Sequence, residues 1–575
     1  MTRTNHNGRI GSADDPMRKY QYLRFTPQDD TTMVRLLERR AATEPDATFF
    51  TWTKAEPVAL GAFNRSVNRT ARNLSALGVA KGTPVLVLMD TSPDYLRLWF
   101  ALAKANAVEV PVNTAYHGDL LLHQLTTSRA TLAVVDAVYV DALRAIAHLA
   151  PCLERVVVRG MEAGRSGFNL PVHGFAELEA ENEETNLEID TPYDSTACII
   201  FTSGTTGPSK GVIVTHHYLA AYGLMYAETN RLDDRDVVMN FLPFFHIGAK
   251  FLTLAALAIG GRMHLQPRLS VSSFWEEVRA HSVTNIIAVG GICGMLLAQP
   301  RRADDADNPL RVVYAVPDPA AFHDEFERRF GCRISSAFGS TEIGFPIMRF
   351  PEDPYVPGTS GRPSAYYDVK ILDEFDNEVP PGVVGEIAIR PKLPYLVASG
   401  YIGMPDKTVE AWRNLWMHSG DRGRMDECGW LTFEDRASDS IRRRGENISS
   451  FEVESLVARH PAVAEVAAVA VPSKDAEDEV RVLVVLRDGA TVTFEELLHH
   501  CAETMPYFMI PRYFDIVDEF PRTPTAKVEK YKIRNAGPGD GTWDREAVGW
   551  VLRQRKLVHV TYVERDSATR DGRAL

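Results

Sequence analysis

Several features that mark other classes of protein are missing from this chain of 575 residues. Its six cysteines form no Cys-x-x-Cys pair and no His cluster at zinc spacing accompanies them, so we expect reduced thiols rather than disulfides or a zinc domain. The longest apolar run, IIAVGGICGMLLA, is shorter than the roughly 20 residues that a spanning helix needs. The polar N-terminal stretch lacks the apolar core of a signal peptide. We therefore expect a cytoplasmic protein without a membrane span.

An excess of positive charge is also missing. The chain carries 63 Lys and Arg against 76 Asp and Glu, a formal net charge of −13. Such a surface offers no general attraction to nucleic acid or to anionic lipid, so we expect no nucleic-acid partner. The oligomeric state is left open, with a homodimer as one alternative.

What is present is an alternation of strand-like and helix-like segments from about residue 79. It predicts an α/β fold in which helices cover mostly parallel sheets. After Pro351, alternating apolar residues with Pro-Gly and Asp-Asn turns predict antiparallel strands in a small barrel-like part. We expect an N-terminal domain over 1–435, a hinge over 436–440, a small mobile α+β domain over 441–537 and an extension of unknown role over 538–575.

A loop of Ser, Thr and Gly interrupts an apolar run in IIFTSGTTGPSKG, which begins at Ile199. Glycine allows close approach to a ligand, and successive backbone N–H groups can form an anion-binding nest to which Lys210 adds a charge. The P-loop pattern GxxxxGK[ST] is not met, because Ser209 precedes the lysine and Gly211 follows it. This stretch alone leaves two readings, a phosphate-binding loop and a solvated surface loop.

Six motifs decide between these readings because they occur in a fixed order. They read TSGTTGPSKG (202–211), FLPFFHIGA (241–249), AFGSTEIG (337–344), WMHSGDRG (416–423), DRASDSIRRRGENISSFEVE (435–454) and PRTPTAKVEK (521–530). Together they resemble the adenylate-forming superfamily of acyl-CoA synthetases, adenylation domains and luciferases. The segment from IRRRGENIS onward is most similar to carnitine/crotonobetaine-type CoA ligases. The resemblance implies an AMP-forming acid–thiol ligase that uses ATP, Mg²⁺ and coenzyme A.

The resemblance also implies a role for each motif residue in binding the nucleotide. Glu342 is expected to hold Mg²⁺, Asp421 to hold the ribose and Thr341 the α-phosphate. Phe338 takes the place of a tyrosine that lies against adenine. The full set of expected nucleotide-binding residues is Thr202, Ser203, Gly204, Thr205, Thr206, Lys210, Ala315, Val316, Phe338, Gly339, Ser340, Asp421 and Arg436.

The remaining implied roles concern the acid and the catalytic lysine. Lys527 is expected to reach the adenylation site and, with Thr341 and His246, to form the catalytic set. His246 is read either as a lid over the acyl carboxylate or as a buried structural histidine. The acyl pocket is expected at His246, Gly290, Gly291 and Gly294. The missing side chains would leave room for a bulky, apolar acid, although these glycines can equally serve turns or helix packing.

Three departures from the family pattern leave the second half-reaction open. Ser438 stands at the hinge where Asp or Lys is usual, Ala526 replaces a glycine before Lys527, and YAVPDP (314–319) replaces a Gly-Gly-Ala-Pro-like segment. An enzyme that hands its acyl-adenylate to a carrier protein or partner ligase is therefore an alternative. A further alternative is a protein that binds an acyl group or a nucleotide without catalysis.

Overall fold

The fold was analysed in a computed structural model of the chain. It describes residues 22–25, 31–202, 208–289, 292–316, 318–320, 322–436, 440–443, 445–473, 477–521 and 528–560. The helices are α1 Tyr22–Phe25, α2 Met33–Thr43, α3 Leu60–Ala76, α4 Pro93–Lys104, α5 Gly118–Ser128, α6 Val140–Ala147, α7 Phe175–Glu179, α8 His216–Thr229, α9 Ile247–Ile259, α10 Phe274–Ala280, α11 Ile292–Leu297, α12 His323–Phe330, α13 Pro405–Ala411, α14 Ser450–Val457, α15 Phe494–Thr504 and α16 Lys530–Ala536.

The strands fall into a first group that belongs to two large sheets. They are β1 Thr48–Trp52, β2 Val58–Ala59, β3 Pro84–Leu88, β4 Val108–Pro111, β5 Leu132–Asp136, β6 Arg155–Arg159, β7 Val172–Gly174, β8 Thr196–Thr202, β9 Lys210–Thr215, β10 Val237–Asn240, β11 Arg262–Leu265, β12 Asn285–Val289, β13 Val312–Val316, β14 Arg333–Ser340, β15 Gly344–Arg349 and β16 Arg362–Pro363.

The second group forms smaller sheets nearer the C-terminus. These strands are β17 Tyr367–Leu372, β18 Gly385–Pro391, β19 Met417–Met425, β20 Leu431–Arg436, β21 Ser440–Arg443, β22 Glu446–Ser449, β23 Val463–Pro472, β24 Asp478–Leu486, β25 Tyr513–Ile516, β26 Trp543–Asp544, β27 Trp550–Arg553 and β28 Lys556–His559.

Two mostly parallel sheets form the body of the molecule. One has nine strands in the order β16-β15-β14-β13-β12-β10-β11-β1-β2, and the other has seven in the order β7-β6-β5-β3-β4-β8-β9. Strands such as β5 and β10 are buried along their whole length, as expected for parallel strands covered on both faces. Every residue of α8 is buried, so this helix belongs to the interior between layers.

A four-stranded antiparallel sheet, β17-β18-β19-β20, follows the two large sheets. It leads through Arg436 and the segment 437–439 into a C-terminal unit. That unit contains the hairpin β21-β22, the sheet β23-β24-β25-β26 and the hairpin β27-β28, with its own apolar core. The predicted fold class is therefore confirmed.

The C-terminal extension belongs to this last unit as far as residue 560. Its first strand, β26, pairs with β25, and Trp543 stacks on Phe494 with ring centres 5.6 Å apart. Leu552 joins the apolar core. The sequence left a choice between a packing arm and an added helix with a strand, and the described part is a strand followed by a hairpin.

None of the helices in the described ranges is both long enough and apolar enough to cross a membrane.

Candidate functional site

A cavity of about 580 Å³ lies where these parts of the fold meet. Its wall includes the ends of β8, β12, β13 and β14, the loop before α9, helix α13 and the strand β19. The C-terminal unit contributes Arg442, Gly445 and Glu446 from the hairpin β21-β22. The cavity therefore borders both large sheets, the antiparallel sheet and the C-terminal unit, so it can hold several ligand groups at once.

One end of this cavity is formed by the antiparallel pair β8 and β9. Thr202 and Lys210 are the last paired residues before the connecting loop, so the strand pair holds both ends of this loop together. Both residues line the cavity. The Lys210 ammonium lies 4.8 Å from the centre of the Tyr401 ring. Burial lowers the pKa of Lys210, although the carboxylate of Glu342 acts in the opposite direction.

Ser209, immediately before β9, is not placed as a nucleophile. Residues 207–211 read GPSKG, the spacing of a hydrolase nucleophile elbow. That elbow requires a turn from a strand into a helix, whereas Ser209 precedes a strand. It is almost completely buried, and its backbone carbonyl contacts His123 Nε2 at 2.8 Å. The position is structural rather than nucleophilic.

Glu342 lies in the turn between β14 and β15, surrounded by hydroxyl groups. Thr202 Oγ1 donates to one carboxylate oxygen at 3.0 Å, and Ser340 Oγ donates to the other at 2.9 Å. Burial and, after it, the nearby Glu342 carboxylate raise the pKa of Tyr401. A carboxylate among hydroxyls offers the hard oxygen donors that suit Mg²⁺. The residues present therefore fit the predicted metal.

The backbone of this turn is held by tyrosines from α8. Tyr218 Oη donates to the carbonyl of Thr341 at 2.9 Å, and Tyr222 Oη donates to that of Ser340 at 3.3 Å. Gly344 closes the turn at φ +67°, where a side chain would be strained and would also meet a tyrosine hydroxyl. These contacts fix where Thr341 and Glu342 face the cavity.

A second polar region surrounds Asp421 on β19. Glu386 accepts from the Gly420 N–H at 3.2 Å and from Arg413 Nη2 at 2.6 Å, and it lies 3.0 Å from His418 Nδ1. Burial alone would raise the pKa of Glu386, but the hydrogen bonds from His418 and Arg413 outweigh it and lower this pKa. Glu386 therefore stays anionic and holds the strand segment that presents the buried Asp421.

Aromatic side chains form the apolar wall of the cavity. Tyr222 packs against Phe251 and Phe345 with ring centres 4.8 and 4.3 Å apart, and Tyr314 packs against Phe345 at 5.5 Å. Each of these four residues is less than 5% exposed. Because the rings pack on one another, they form a continuous apolar surface.

His246 separates this wall from the C-terminal unit. It is the residue before α9, and its side chain is 40% exposed, so it is not a buried structural histidine. Its Nε2 atom lies 3.4 Å from Glu446 Oε2. The hairpin of the C-terminal unit thus contacts a predicted catalytic residue directly.

A second contact joins the C-terminal unit to the base of the Ser/Thr/Gly loop. The Ser209 N–H donates to Glu452 Oε1 of α14 at 3.1 Å. Burial raises the pKa of Glu452 to about 7, even though hydrogen bonds from Ser209 act to lower it. Arg459 and Asp119 form an ion pair across the same interface.

The structure brings most of the described motif residues to this cavity. Those that line it are Thr202, Lys210, His246, Val316, Gly339, Ser340, Thr341, Glu342 and Asp421. Arg436 pairs through its backbone with Asp421 across β19 and β20. The predicted residues Ser203, Gly204, Thr205, Thr206, Gly290, Gly291, Ser438 and Lys527 lie outside the described residues, and their roles stay predictions.

Three predicted residues do not reach the cavity wall. Phe338 is buried in β14 with its ring centre 6.2 Å from that of Phe433, and Ala315 lies between two lining residues of β13. Gly294 sits in α11, where an added Cβ would meet the ring of Phe322 at 3.5 Å. Ala315 points away from the cavity because side chains alternate along a strand, and Gly294 is explained by the packing of α11 against Phe322. Their proposed ligand contacts stay untested.

Sequence reasoning assigned no role to a second set of lining residues, some of which lie within the motifs and others between them. They are Tyr222, Phe251, Phe345, Glu386, Tyr401, Lys407, Glu410, Arg413, His418, Arg442, Gly445 and Glu446. Some lie within or beside a motif, as His418 does beside Asp421. Others, such as Lys407 on α13, carry no local pattern because only the tertiary fold brings them to the cavity.

Comparison with known proteins identifies the family. Residues 37–402 match the family described as AMP-binding enzyme, and residues 452–527 match the AMP-binding enzyme C-terminal domain. The chain belongs to the AMP-binding enzyme family. The resemblance drawn from the six motifs is thereby confirmed, and with it the prediction that the chain is an enzyme of this class.

Individual members of the AMP-binding enzyme family agree with this assignment. A crotonobetaine/carnitine–CoA ligase of Salmonella arizonae is 32% identical over 479 residues, covering 82% of this chain and 92% of that protein. The ATP-bound structure of MatB from Rhodopseudomonas palustris is 26% identical, with a TM-score of 0.62 over 87% of this chain and 98% of that one. The o-succinylbenzoate CoA synthetase of Bacillus subtilis is 24% identical and shares the fold, with a TM-score of 0.75 over 87% and 98%.

Proposed function

We propose that this chain is an ATP- and Mg²⁺-dependent acyl-CoA ligase whose acid is bulky and apolar. It would join the acid to the α-phosphate of ATP, release pyrophosphate, and then pass the acyl group to coenzyme A. The observation that carries this proposal is the single cavity shared by Lys210, Glu342, Asp421, the aromatic wall and the hairpin of the C-terminal unit. The CoA ligases among the relatives support it.

The first half-reaction needs cations because both reactants are anions. A carboxylate oxygen forms a bond to the α-phosphorus while the bond from that phosphorus to the pyrophosphate oxygen breaks. Lys210 and the hydroxyls of Thr202 and Thr341 face the region where this charge redistributes. Preorganised donors in a partly dehydrated site stabilise such charge more strongly than water does. Lys527 would add a second ammonium to the reacting oxygens.

The metal site of this half-reaction would be Glu342 with the hydroxyls of Thr202 and Ser340. When bound, Mg²⁺ neutralises charge on the phosphate oxygens. The ring of Tyr401, a residue whose pKa the Glu342 carboxylate helps to raise, packs against the Lys210 ammonium. Asp421, buried in β19, would accept hydrogen bonds from the ribose hydroxyls.

The second half-reaction would use the contact between His246 and Glu446. The thiol sulfur of coenzyme A attacks the acyl carbonyl carbon, the bond to AMP breaks, and the thiol proton must be accepted. An imidazole 3.4 Å from a carboxylate can hold that proton. Because Glu446 belongs to the C-terminal unit, this proton acceptor is complete only while the unit occupies the position seen here.

The acid class follows from the character of the aromatic wall. A quaternary ammonium group is recognised by open ring faces arranged as a cage. Here Tyr222, Phe251, Tyr314 and Phe345 pack on one another and expose little of their faces. Such a wall favours a neutral, bulky acyl group over the cationic acyl group of crotonobetaine.

Exchange of labelled pyrophosphate into ATP tests this function, measured across a panel of acids without coenzyme A. The panel includes crotonobetaine and an analogue that lacks the positive charge, because a tert-butyl group replaces the trimethylammonium. We expect exchange with neutral bulky acids and a preference for the analogue. Lys527→Ala should abolish the exchange, whereas Lys532→Ala, a nearby lysine whose side chain is half exposed, serves as the matched control.

Adding coenzyme A then separates the candidate activities. Thioester formed by the wild type supports the ligase. Exchange without thioester would instead support transfer to a carrier protein or partner ligase. ATP binding without exchange, for every acid tested, would favour a protein that binds but does not catalyse.

The role of Glu446 has its own test. Glu446→Gln removes the negative charge beside His246 but keeps the size of the side chain. We expect slower thioester formation with pyrophosphate exchange retained. Equal losses in both half-reactions would contradict a specific role in the second.

A further inference from the structure

A cluster of two histidines and a glutamate lies outside the cavity. His264 Nε2 is 3.3 Å from Glu277 Oε2, and His281 Nε2 is 3.4 Å from the same oxygen. One ligand atom from each of the three side chains lies within 4.8 Å of the others. None of the three lines the cavity described above. We refer to His264, Glu277 and His281 as the histidine cluster.

The fold assembles this cluster from two adjacent elements. His264 is in β11, paired with Thr51 of β1 on one side and with Met239 of β10 on the other. Glu277 lies on α10 and His281 follows that helix, four residues later, so both reach the same side. The separation of 13 residues between His264 and Glu277 explains why no zinc spacing was visible in the sequence.

Hydrogen bonds orient the buried histidine toward the carboxylate. Its side chain is fully buried, and its Nδ1 atom lies 2.8 Å from Thr51 Oγ1. In the tautomer whose Nδ1–H donates to Thr51, Nε2 carries a lone pair. Gln266 Nε2 lies 3.1 Å from this nitrogen and would donate to it when no ion is bound, and Glu277 Oε2 lies 3.3 Å from it. Metal-binding histidines are usually oriented in this way, by a hydrogen bond on the ring nitrogen that does not bind the ion.

The spacing of the ligand atoms matches that of one shared ion. Glu277 Oε2 lies 3.3 Å from His264 Nε2 and 3.4 Å from His281 Nε2. Two ligands that each lie about 2.0–2.1 Å from a tetrahedral Zn²⁺ are separated by roughly the same distance.

We propose that the histidine cluster binds a divalent transition-metal ion, of which Zn²⁺ is the best match. Two imidazole nitrogens and one carboxylate oxygen are a donor set that Zn²⁺ favours, whereas Mg²⁺ prefers oxygen donors alone. The site is separate from the proposed Mg²⁺ site at Glu342. It would join β11 to α10 within the nine-stranded sheet layer.

Binding requires one movement. The two imidazole rings are stacked, with centres 3.7 Å apart and planes 14° apart, so one ion cannot lie in both ring planes. His281 is the ligand able to turn, because its side chain is 23% exposed and follows the end of α10. We expect the ring of His281 to leave the stack when the ion binds.

Zinc binding by the full-length protein tests the proposal. The protein is purified without a histidine tag, stripped with a chelator and titrated with zinc chloride in the presence of excess Mg²⁺. We expect one tightly bound zinc per chain. His281→Gln and Glu277→Gln, both at partly exposed positions, should each weaken binding by more than about tenfold.

His173→Gln is the matched control. His173 and Glu177 form a His–Glu pair at the same four-residue spacing, with Nδ1 2.9 Å from Oε2, but they have no second histidine. This substitution and Glu342→Gln should leave zinc binding unchanged. No bound zinc, or equal binding by the wild type and both cluster variants, would overturn the proposal.

A cobalt spectrum provides a measurement on the wild type alone, in case the cluster variants do not fold. Co²⁺ at a site with nitrogen and carboxylate ligands gives visible absorption that aqueous Co²⁺ lacks in that intensity. We expect this absorption to appear at one equivalent and to be lost when Zn²⁺ is added. Its absence from folded wild-type protein would also overturn the proposal.

Discussion

Glu452 links the docking of the C-terminal unit to pH. Its carboxylate accepts from the Ser209 N–H at the base of the phosphate-binding region, and it is buried by the contact between the two parts of the chain. Tyr116 of the large domain interacts electrostatically with Glu452 and Glu446, and His123 Nε2 contacts the Ser209 carbonyl. Any arrangement that exposes Glu452 to water returns its pKa toward the ordinary value of 4.5.

The sign and size of the effect follow from this difference. The docked arrangement holds the pKa of Glu452 at about 7, so the protonated side chain favours docking. This contribution is fully present below about pH 4.5 and is lost as the pH rises through about 7. Between about pH 5.5 and about pH 8, the docking equilibrium constant should fall roughly 30-fold, or by about 2 kcal/mol.

Hydrogen exchange of the Ser209 amide measures this directly, after correction for the intrinsic pH dependence of exchange. We expect protection of Ser209 and of α14 to decrease as the pH rises. Glu452→Gln keeps an acceptor for the Ser209 N–H but cannot titrate, so its corrected protection should not vary with pH. Glu454→Gln is the matched control, because Glu454 lies on the same helix and pairs with Lys530 within the C-terminal unit.

Two results would refute this reasoning. One is the same pH dependence in the wild type and in Glu452→Gln, and the other is protection that increases with pH. His123→Gln separates any contribution of the imidazole that contacts the Ser209 carbonyl.

Three further predictions concern the large domain. Lys250→Met leaves Glu109 buried without the ammonium that lies 2.6 Å from it, so the free energy of unfolding should fall by about 3–5 kcal/mol; denaturant titration measures this, and adding Glu109→Gln should restore much of it. Asp421→Ala should raise the KM for ATP roughly 10- to 100-fold through lost ribose hydrogen bonds, with unfolding unaltered as the control. Gly339→Ala places a Cβ 1.9 Å from the Gly344 carbonyl oxygen, which should cost on the order of 2–4 kcal/mol and lower metal-dependent activity; an unchanged melting temperature would show that the turn has room.

The sequence predicted the order of elements well because strand and helix patterns are local. It could not predict which strands become neighbours. The strand β1, near the N-terminus, lies beside β11, more than 200 residues later, through pairs such as Phe50 with Met263. Nor could periodicity predict α8, because every residue of this helix is buried and no solvent-exposed side marks its period.

The motifs predicted residues that lie together at the cavity where one motif forms one local turn. Glu342 was predicted from the resemblance of AFGSTEIG to a family motif, and it lines the cavity with Ser340 and Thr341, its neighbours in the turn; its role stays a prediction. Lys407 and Tyr401 were missed because nothing local distinguishes a lysine or tyrosine that lines a cavity from one on the surface. Phe338 lies in a motif but does not line the cavity. The motif predicts an aromatic residue at this position, but it does not predict the direction in which the ring points.

The pairing of Asp421 with Arg436 connects the cavity to the point where the chain continues into the C-terminal unit. These residues face each other on β19 and β20, and Arg436 is the last residue of the sheet before the covalent connection to the C-terminal unit. The carboxylate proposed to bind the ribose and the residue from which the chain continues to the C-terminal unit are thus parts of one strand pair. A nucleotide bound at Asp421 would therefore act on the same two strands that carry the start of the connection to Glu446 and Glu452.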